Sequence, residues 1–309
     1  MPDLADLARR DAVVTAAAGW ETLTVTGPDR AKWLEGLVTC AVAEVTPGTG
    51  NWGLALNRLG KIQSALWLLA ARAPASQAEA LWLAAAPGTV DALFRELGRM
   101  LIMEDAELER PAVAQRWFAF HGPLASARAA ELASRLQGHS GSIDWTGLGG
   151  AALVVPEELA PDVVEACRER WLEPEAWTLL RIERGLGEFG VDYTEQERPH
   201  EAALDRRAVN WAKGCYLGQE VVCMQDMRGK VKRRLELLDI DAPAHAKLES
   251  GASISTDAGQ AIGKVTSLAF SERAGRWRAL AKLDLSAAEG PLQCRSGDEA
   301  WPAAIGVPA

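Results

Sequence analysis

Residues 213–220 read Lys213-Gly214-Cys215-Tyr216-Leu217-Gly218-Gln219-Glu220. A thiol follows a glycine, a lysine stands two residues before it, and Gly218 precedes an expected helix start. A free cysteine, with a pKa of about 8.5, is only a few per cent ionised at pH 7; a nearby ammonium and helix amides that lower it to about 7 leave roughly half as thiolate. The same pattern is also met by a cysteine that is simply a small buried hydrophobe. Both readings of Cys215 stand at this level.

Downstream, Arg228, Lys230, Lys232, Arg233 and Arg234 make a basic run, and the character of the chain changes after Gly229. Short apolar stretches at Leu235–Ile240, Ala261–Val265 and Trp277–Leu285, separated by Gly, Ser and Asp, read as strands of a separate β lobe. Upstream, apolar residues recur at helical spacing over 162–171 and 176–184, with Pro174 as the breaker between two helices. Further helices are expected over 89–100 and 124–136. A strand around Leu23 and Val25 leads through Gly27-Pro28-Asp29 into a helix reaching Leu37, and residues 51–71 form a hairpin about Asn57-Arg58-Leu59-Gly60.

Several function classes are excluded or weakened. The chain has 309 residues, enough for two or three packed lobes, and no apolar run long enough for a membrane span. Acidic residues before the first apolar stretch do not resemble a secretory signal, and five scattered cysteines do not form a disulfide framework, so a cytoplasmic protein with reduced thiols is expected. A net charge of -9 opposes broad binding to nucleic acid; the local basic run is either a patch that meets RNA or a solvated strand face. The glycine pattern Gly185–Gly190 follows a helix where a dinucleotide loop would follow a strand, and its Glu188 would repel phosphate. Gly147–Ala152 is a looser version that leads into a strand. The four histidines lack metal-ligand spacing, so no metal site is expected. The twelve tryptophans are assigned mainly to core, with Trp211 adjoining the cysteine loop.

The octapeptide resembles the K-G-C-[FY]-x-G-Q-E signature of YgfZ-type folate-binding proteins, relatives of the glycine cleavage T-protein (aminomethyltransferase) family. Arg181-Ile182-Glu183-Arg184-Gly185 is similar to that family's R-x-E-x-G helix end. Arg228-Gly229 and the N-terminal pattern from Val25 to Arg30 and through Gly60-Lys61-Ile62 extend the likeness over nearly the whole chain. The resemblance implies an α+β, three-lobed, T-protein-like folate-binding fold, with residues 1–230 as a two-lobed folate-binding region and 231–309 as a C-terminal β-barrel. It also implies tetrahydrofolate, or a one-carbon derivative, as cofactor. The implied role is accessory: maturation or repair of iron–sulfur enzymes, with those clients or their assembly factors as partners and Cys215 as the functional thiol.

Carried over by position, Glu183 is the residue for the pterin, because a carboxylate accepts two hydrogen bonds from a 2-amino-pyrimidinone edge; a solvated helix-end charge is its alternative. Arg228 and Lys230 would meet the acidic tail of folate, Lys213 belongs to the same site, and Gln219 and Glu220 would fix the loop. Where aminomethyltransferases resemble G-x-x-x-D-D-L, this chain has Gly60-Lys61-Ile62-Gln63-Ser64-Ala65-Leu66. Neither Ser64 nor Ala65 exchanges a proton at neutral pH, so independent aminomethyltransferase activity is not expected. Two other functions stay open: a folate-dependent methyl or aminomethyl transferase with Glu183 as the substitute base, and tRNA modification through the basic run. Cys223-Met224 departs from the Ala-Arg pair more usual after the signature.

Overall fold

The computed structural model describes residues 4–73, 77–229, 231–288 and 290–308. Chain contacts divide it into two compact units, each drawn from two segments: residues 1–172 with 206–219, and 173–205 with 220–309. The barrel's first strand begins at Arg233, but the second unit also takes in the helix that ends at Glu183 and the stretch up to Asp205.

Among the described residues the first unit carries nine strands: β1 (Val13–Ala16), β2 (Glu21–Thr26), β3 (Gly48–Leu56), β4 (Ile62–Arg72), β5 (Glu79–Ala85), β6 (Glu107–Glu109), β7 (Gln115–His121), β8 (His139–Ser142) and β9 (Gly150–Pro156). They form one sheet in the order β1-β7-β9-β8-β3-β4-β5-β2-β6, antiparallel except where β8 joins β3. The hairpin of β3 and β4 turns at Asn57–Lys61, where Asn57 Oδ1 accepts the N–H groups of Leu59 and Lys61 and Gly60 takes φ +69°.

Amphipathic helices cover this sheet because each has one apolar stripe to bury. Val90–Gly98 buries Val90, Leu93 and Leu97 with Leu23, Leu66, Leu68 and Leu83, while Ala125–Arg135 buries Ala125, Ala129 and Leu132 with Phe118, Phe120 and Leu153. The helix after Asp29 is shorter than expected, Arg30–Glu35. Asp29 does not cap it; its carboxylate accepts the Asp105 N–H instead. The helix expected over 162–171 ends at Ala166 and tightens into a 3₁₀ turn at Arg168–Arg170.

Six tryptophans (33, 52, 67, 82, 117 and 145) are buried, and Trp67 stacks on Trp20 and packs against Trp145 at centroid distances of 4.2 and 4.5 Å. His121 lies beside Trp145, where burial pulls its pKa down to about 3 against the opposing charge of Asp144. Because the unfolded imidazole protonates near pH 6.5, this depressed value contributes stability that is full above about pH 6.5 and shrinks as pH falls toward 3. Urea unfolding at pH 7 and pH 5 should therefore show lower stability at pH 5, with the difference reduced in His121→Phe.

In the second unit, β10 (Arg233–Ile240), β11 (Ser253–Thr256), β12 (Ala261–Ser271), β13 (Arg276–Asp284), β14 (Leu292–Ser296) and β15 (Glu299–Ile305) close a barrel in the order β10-β13-β12-β11-β14-β15. Period-two alternation points Leu238, Ile240, Ile254, Val265, Ala281 and Cys294 into one core. The helix Pro174–Glu183, with proline in its first turn, packs against β12 and lays Ile182 on Leu235, Leu237 and Leu280.

Candidate functional site

The cysteine loop belongs to the first unit and is fastened along residues 35–40. Before the thiol, the Asn210 N–H donates to Thr39 O, and Thr39 Oγ donates to Ala208 O. Asn210 Oδ1 then accepts the N–H groups of Ala212 and Lys213. After the thiol, the Leu217 N–H donates to Gly36 O at 3.0 Å. Gly218 sits at φ +81°, and a Cβ there would stand 2.5 Å from Asn57 O. Both conditions require glycine. Gly218→Ala should cost about 2–3 kcal/mol, from left-handed strain plus displacement of the backbone oxygen, read as a lower urea midpoint.

Within this frame the side chains alternate. The Lys213 side chain is 2% exposed and its Nζ donates to Glu35 O, Val38 O and Cys40 O at 2.8, 2.8 and 2.6 Å, with Glu35 Oε1 at 3.2 Å. Tyr216 is buried with its ring 5.7 Å from that ammonium. Cys215 is exposed, and a Cβ added at Gly214 would meet nothing within 4 Å. The buried-hydrophobe reading of Cys215 is thus replaced by an outward thiol. Cys40, Cys167 and Cys294 are the buried thiols, pushed up by burial to about 12, 11 and 11, and Cys223 is intermediate.

The three N–H donors of Lys213 match its three carbonyls, so it holds the loop and has no donor left for a ligand. Glu35 completes the fastening. Burial by itself would raise its carboxyl, but the N–H groups of Val42 and Ala43 and the Lys213 ammonium outweigh that, and it ends below the ordinary carboxylate range.

Ser64 is fully buried and exchanges hydrogen bonds with Thr89 Oγ, Ala65 O and the Ala86 N–H, so its hydroxyl ties β4 to the start of the helix Val90–Gly98. Ala65 is buried as well. Neither position offers a proton-transfer group.

Glu183 lies in the second unit and is not a solvated helix-end charge. It is buried, with Oε1 accepting the Ser271 hydroxyl at 2.7 Å and Oε2 lying 3.4 Å from the half-exposed Arg273 guanidinium. Two residues earlier, Arg181 is 3% exposed and joins Asp192 Oδ2 at 2.6 Å, Ser267 Oγ at 2.8 Å and Glu188 Oε2 at 3.0 Å. Asp192 is completely buried and also accepts Thr266 Oγ, Ser267 Oγ and the Glu188 N–H. Sequence reasoning missed this network. Its nearest trace in the sequence was the glycine run 185–190, where a Cβ at Gly187 would stand 2.6 Å from Leu235 Cδ2 and 3.3 Å from Asp192 Cβ.

Of the remaining candidates, Gln219 closes the first unit's loop, its N–H donating to Tyr216 O. Glu220 and Arg228 are exposed at opposite ends of the helix Gln219–Arg228, both in the second unit. Lys230 lies outside the described residues. His200, Asp205 and Asp226 come together in the second unit with ligand atoms within 4.8 Å, the one such group among the described residues. Histidine spacing could not show it, because the three come from separate segments. Arg234 already supplies a cation there, donating to His200 O and Asp205 Oδ1 at 2.8 and 2.9 Å. Among the described residues no helix is long and apolar enough to cross a membrane.

No protein-family model matches the chain. Mitochondrial aminomethyltransferases of Mesembryanthemum crystallinum and Flaveria trinervia are 33% and 35% identical to it over 138 residues, 41% of this chain and 32% of each relative. The match thus spans about a third of those proteins. The tRNA-modifying protein YgfZ of Yersinia pestis (strain Pestoides F) is 26% identical over 231 residues, 70% of this chain and 67% of that protein. The crystal structure of the glycine cleavage system aminomethyltransferase T from Bartonella henselae superposes with a TM-score of 0.76 at 20% identity, covering 97% of this chain and 86% of that one. The chain therefore has the fold of the glycine cleavage T proteins and is related in sequence to aminomethyltransferases and to YgfZ.

Proposed function

We propose that this protein binds tetrahydrofolate or a one-carbon derivative and serves iron–sulfur enzymes as an accessory factor, with Cys215 as the group that acts. One observation carries the reading: a loop fastened on both sides of an exposed thiol, in a chain whose Cys40, Cys167 and Cys294 are buried. A thiol placed in this way can attack, exchange or ligate transiently, whereas one needed only for packing would be inside. The donor set fits a pterin. Ser271 and Arg273 occupy part of the acceptor capacity of Glu183, and a carboxylate has about four lone-pair sites, so acceptors remain for a 2-amino-pyrimidinone edge. Arg228, exposed at its helix end, has the charge for the glutamate tail.

The aminomethyltransferase reading is supported by the 33% identity to enzymes of that name. Against it stand Ser64 and Ala65, buried and without a titratable group. If the accessory reading holds, a strain lacking the gene should recover iron–sulfur enzyme activity with the wild-type chain and not with Cys215→Ser at equal abundance. Equal recovery with Cys215→Ser would remove the thiol from the function. Production of methylene-tetrahydrofolate from an aminomethylated carrier would favour the transferase instead.

A further inference from the structure

Four oxygens of the first unit converge on one point. Three are backbone carbonyls, from Glu35, Val38 and Cys40, and the fourth is Glu35 Oε1. They meet because the helix Arg30–Glu35 stops there, leaving end carbonyls without intrahelical donors, while the chain bends back toward β3. All four lie 2.6–3.2 Å from Lys213 Nζ, which is shut away from solvent. This is the surrounding of a small monovalent cation, with the cation carried in on a side chain. The Leu217 N–H donates to Gly36 O, which lies in sequence between the first two of these carbonyl acceptors, so the residues flanking Cys215 on both sides hang on the same six-residue stretch.

We propose that Lys213 is a tethered cation whose four-oxygen cage locks the Cys215 loop, so that a free ammonium ion can take over the cage when the side chain is removed. This rests on the reading of Cys215 as the working thiol, since it makes Lys213 and Glu35 the residues that position it. Removing Lys213 would leave three buried carbonyls and a carboxylate facing one another, and the loop would open. Ammonium and methylammonium bring a compact charge with at least three N–H donors. Tetramethylammonium brings the charge without donors and is too large. Arginine would not substitute, because its planar fork cannot aim at oxygens that converge on a point.

The test uses the full reduced chain and follows hydrogen exchange at the Leu217 amide in wild type, Lys213→Ala and Glu35→Gln, with Cys167 and Cys294 alkylation reporting whether each unit stays folded. Lys213→Ala should exchange about a hundredfold faster at Leu217, consistent with breaking a buried charged hydrogen-bonded group. Ammonium or methylammonium chloride should restore most of the protection, and tetramethylammonium chloride at equal ionic strength should not. Glu35→Gln should give a smaller rise, about tenfold, and this variant carries the test if Lys213→Ala does not fold. Leu217 exchange within twofold of wild type in either folded variant would overturn the proposal, as would equal rescue by tetramethylammonium. No arm contains folate or a client enzyme, so failure of the folate reading leaves this result untouched.

Discussion

Arg181→Met is expected to destabilise the second unit by about 3–5 kcal/mol, the cost of removing one partner of a buried ion pair. The variant keeps the volume and apolar stem of the side chain but leaves Asp192, 0% exposed, with only hydroxyl and amide donors. Glu188 would suffer too. Burial already raises its pKa, with Arg181 the one group pulling it down and Asp192 pushing it up, so loss of the guanidinium drives it further toward the neutral acid. Cys294, buried in the barrel core, is a direct probe: its alkylation should begin at lower urea in Arg181→Met than in wild type. Replacing Asp192 by leucine in the same chain should recover part of the loss, because no charge is then stranded. An unchanged Cys294 profile in Arg181→Met would show that the pair contributes little.

The second large effect is chemical. In the native reduced chain an alkylating reagent at pH 7.5 should modify Cys215 at least about a thousandfold faster than Cys40, Cys167 or Cys294, with Cys223 between them. Reaction at the buried three requires an opening that costs a large share of the global stability, which is several kcal/mol for an ordinary domain. It is slowed further because burial holds those thiols protonated, near 12 at Cys40 and near 11 at the other two. Peptide mapping after timed alkylation reads all five rates in one experiment. Comparable rates at Cys215 and Cys167 would mean that the loop buries its thiol in solution.

Much of this was legible in the sequence because the signals were local. Gly60 was read as the glycine of a hairpin turn and stands at positive φ, and Gly218 was read as preceding a helix, which starts at Gln219. The proline in the first turn of Pro174–Glu183 and the short strands after Gly229 located a helix and a separate β lobe, while the resemblance to the T-protein family implied that the lobe closes as a barrel. What was not legible is convergence over distance. Lys213 was read as a neighbour that would ionise Cys215, since it lies two residues away, yet its ammonium is spent on carbonyls more than 170 residues earlier. That Glu183 is buried rather than a solvated helix-end charge depends on the distant residues Ser271 and Arg273 beside it. The parallel join of β8 to β3 likewise has no local pattern, because it rests on two residue pairs, Gly48 with Gly141 and Thr49 with Ser142, that are far apart in the chain.

The central claim, that the T-protein fold here serves as a folate-binding carrier of one exposed thiol, is tested most directly by calorimetric titration of the reduced chain with tetrahydrofolate under anaerobic conditions, alongside Glu183→Gln and Arg228→Ala variants of verified stability. Saturable binding to wild type, weakened at least about tenfold by Glu183→Gln and less by Arg228→Ala, is the predicted result, a loss of roughly 1.4 kcal/mol for the first. Absence of binding at high micromolar tetrahydrofolate, or equal affinity in wild type and Glu183→Gln, would contradict it.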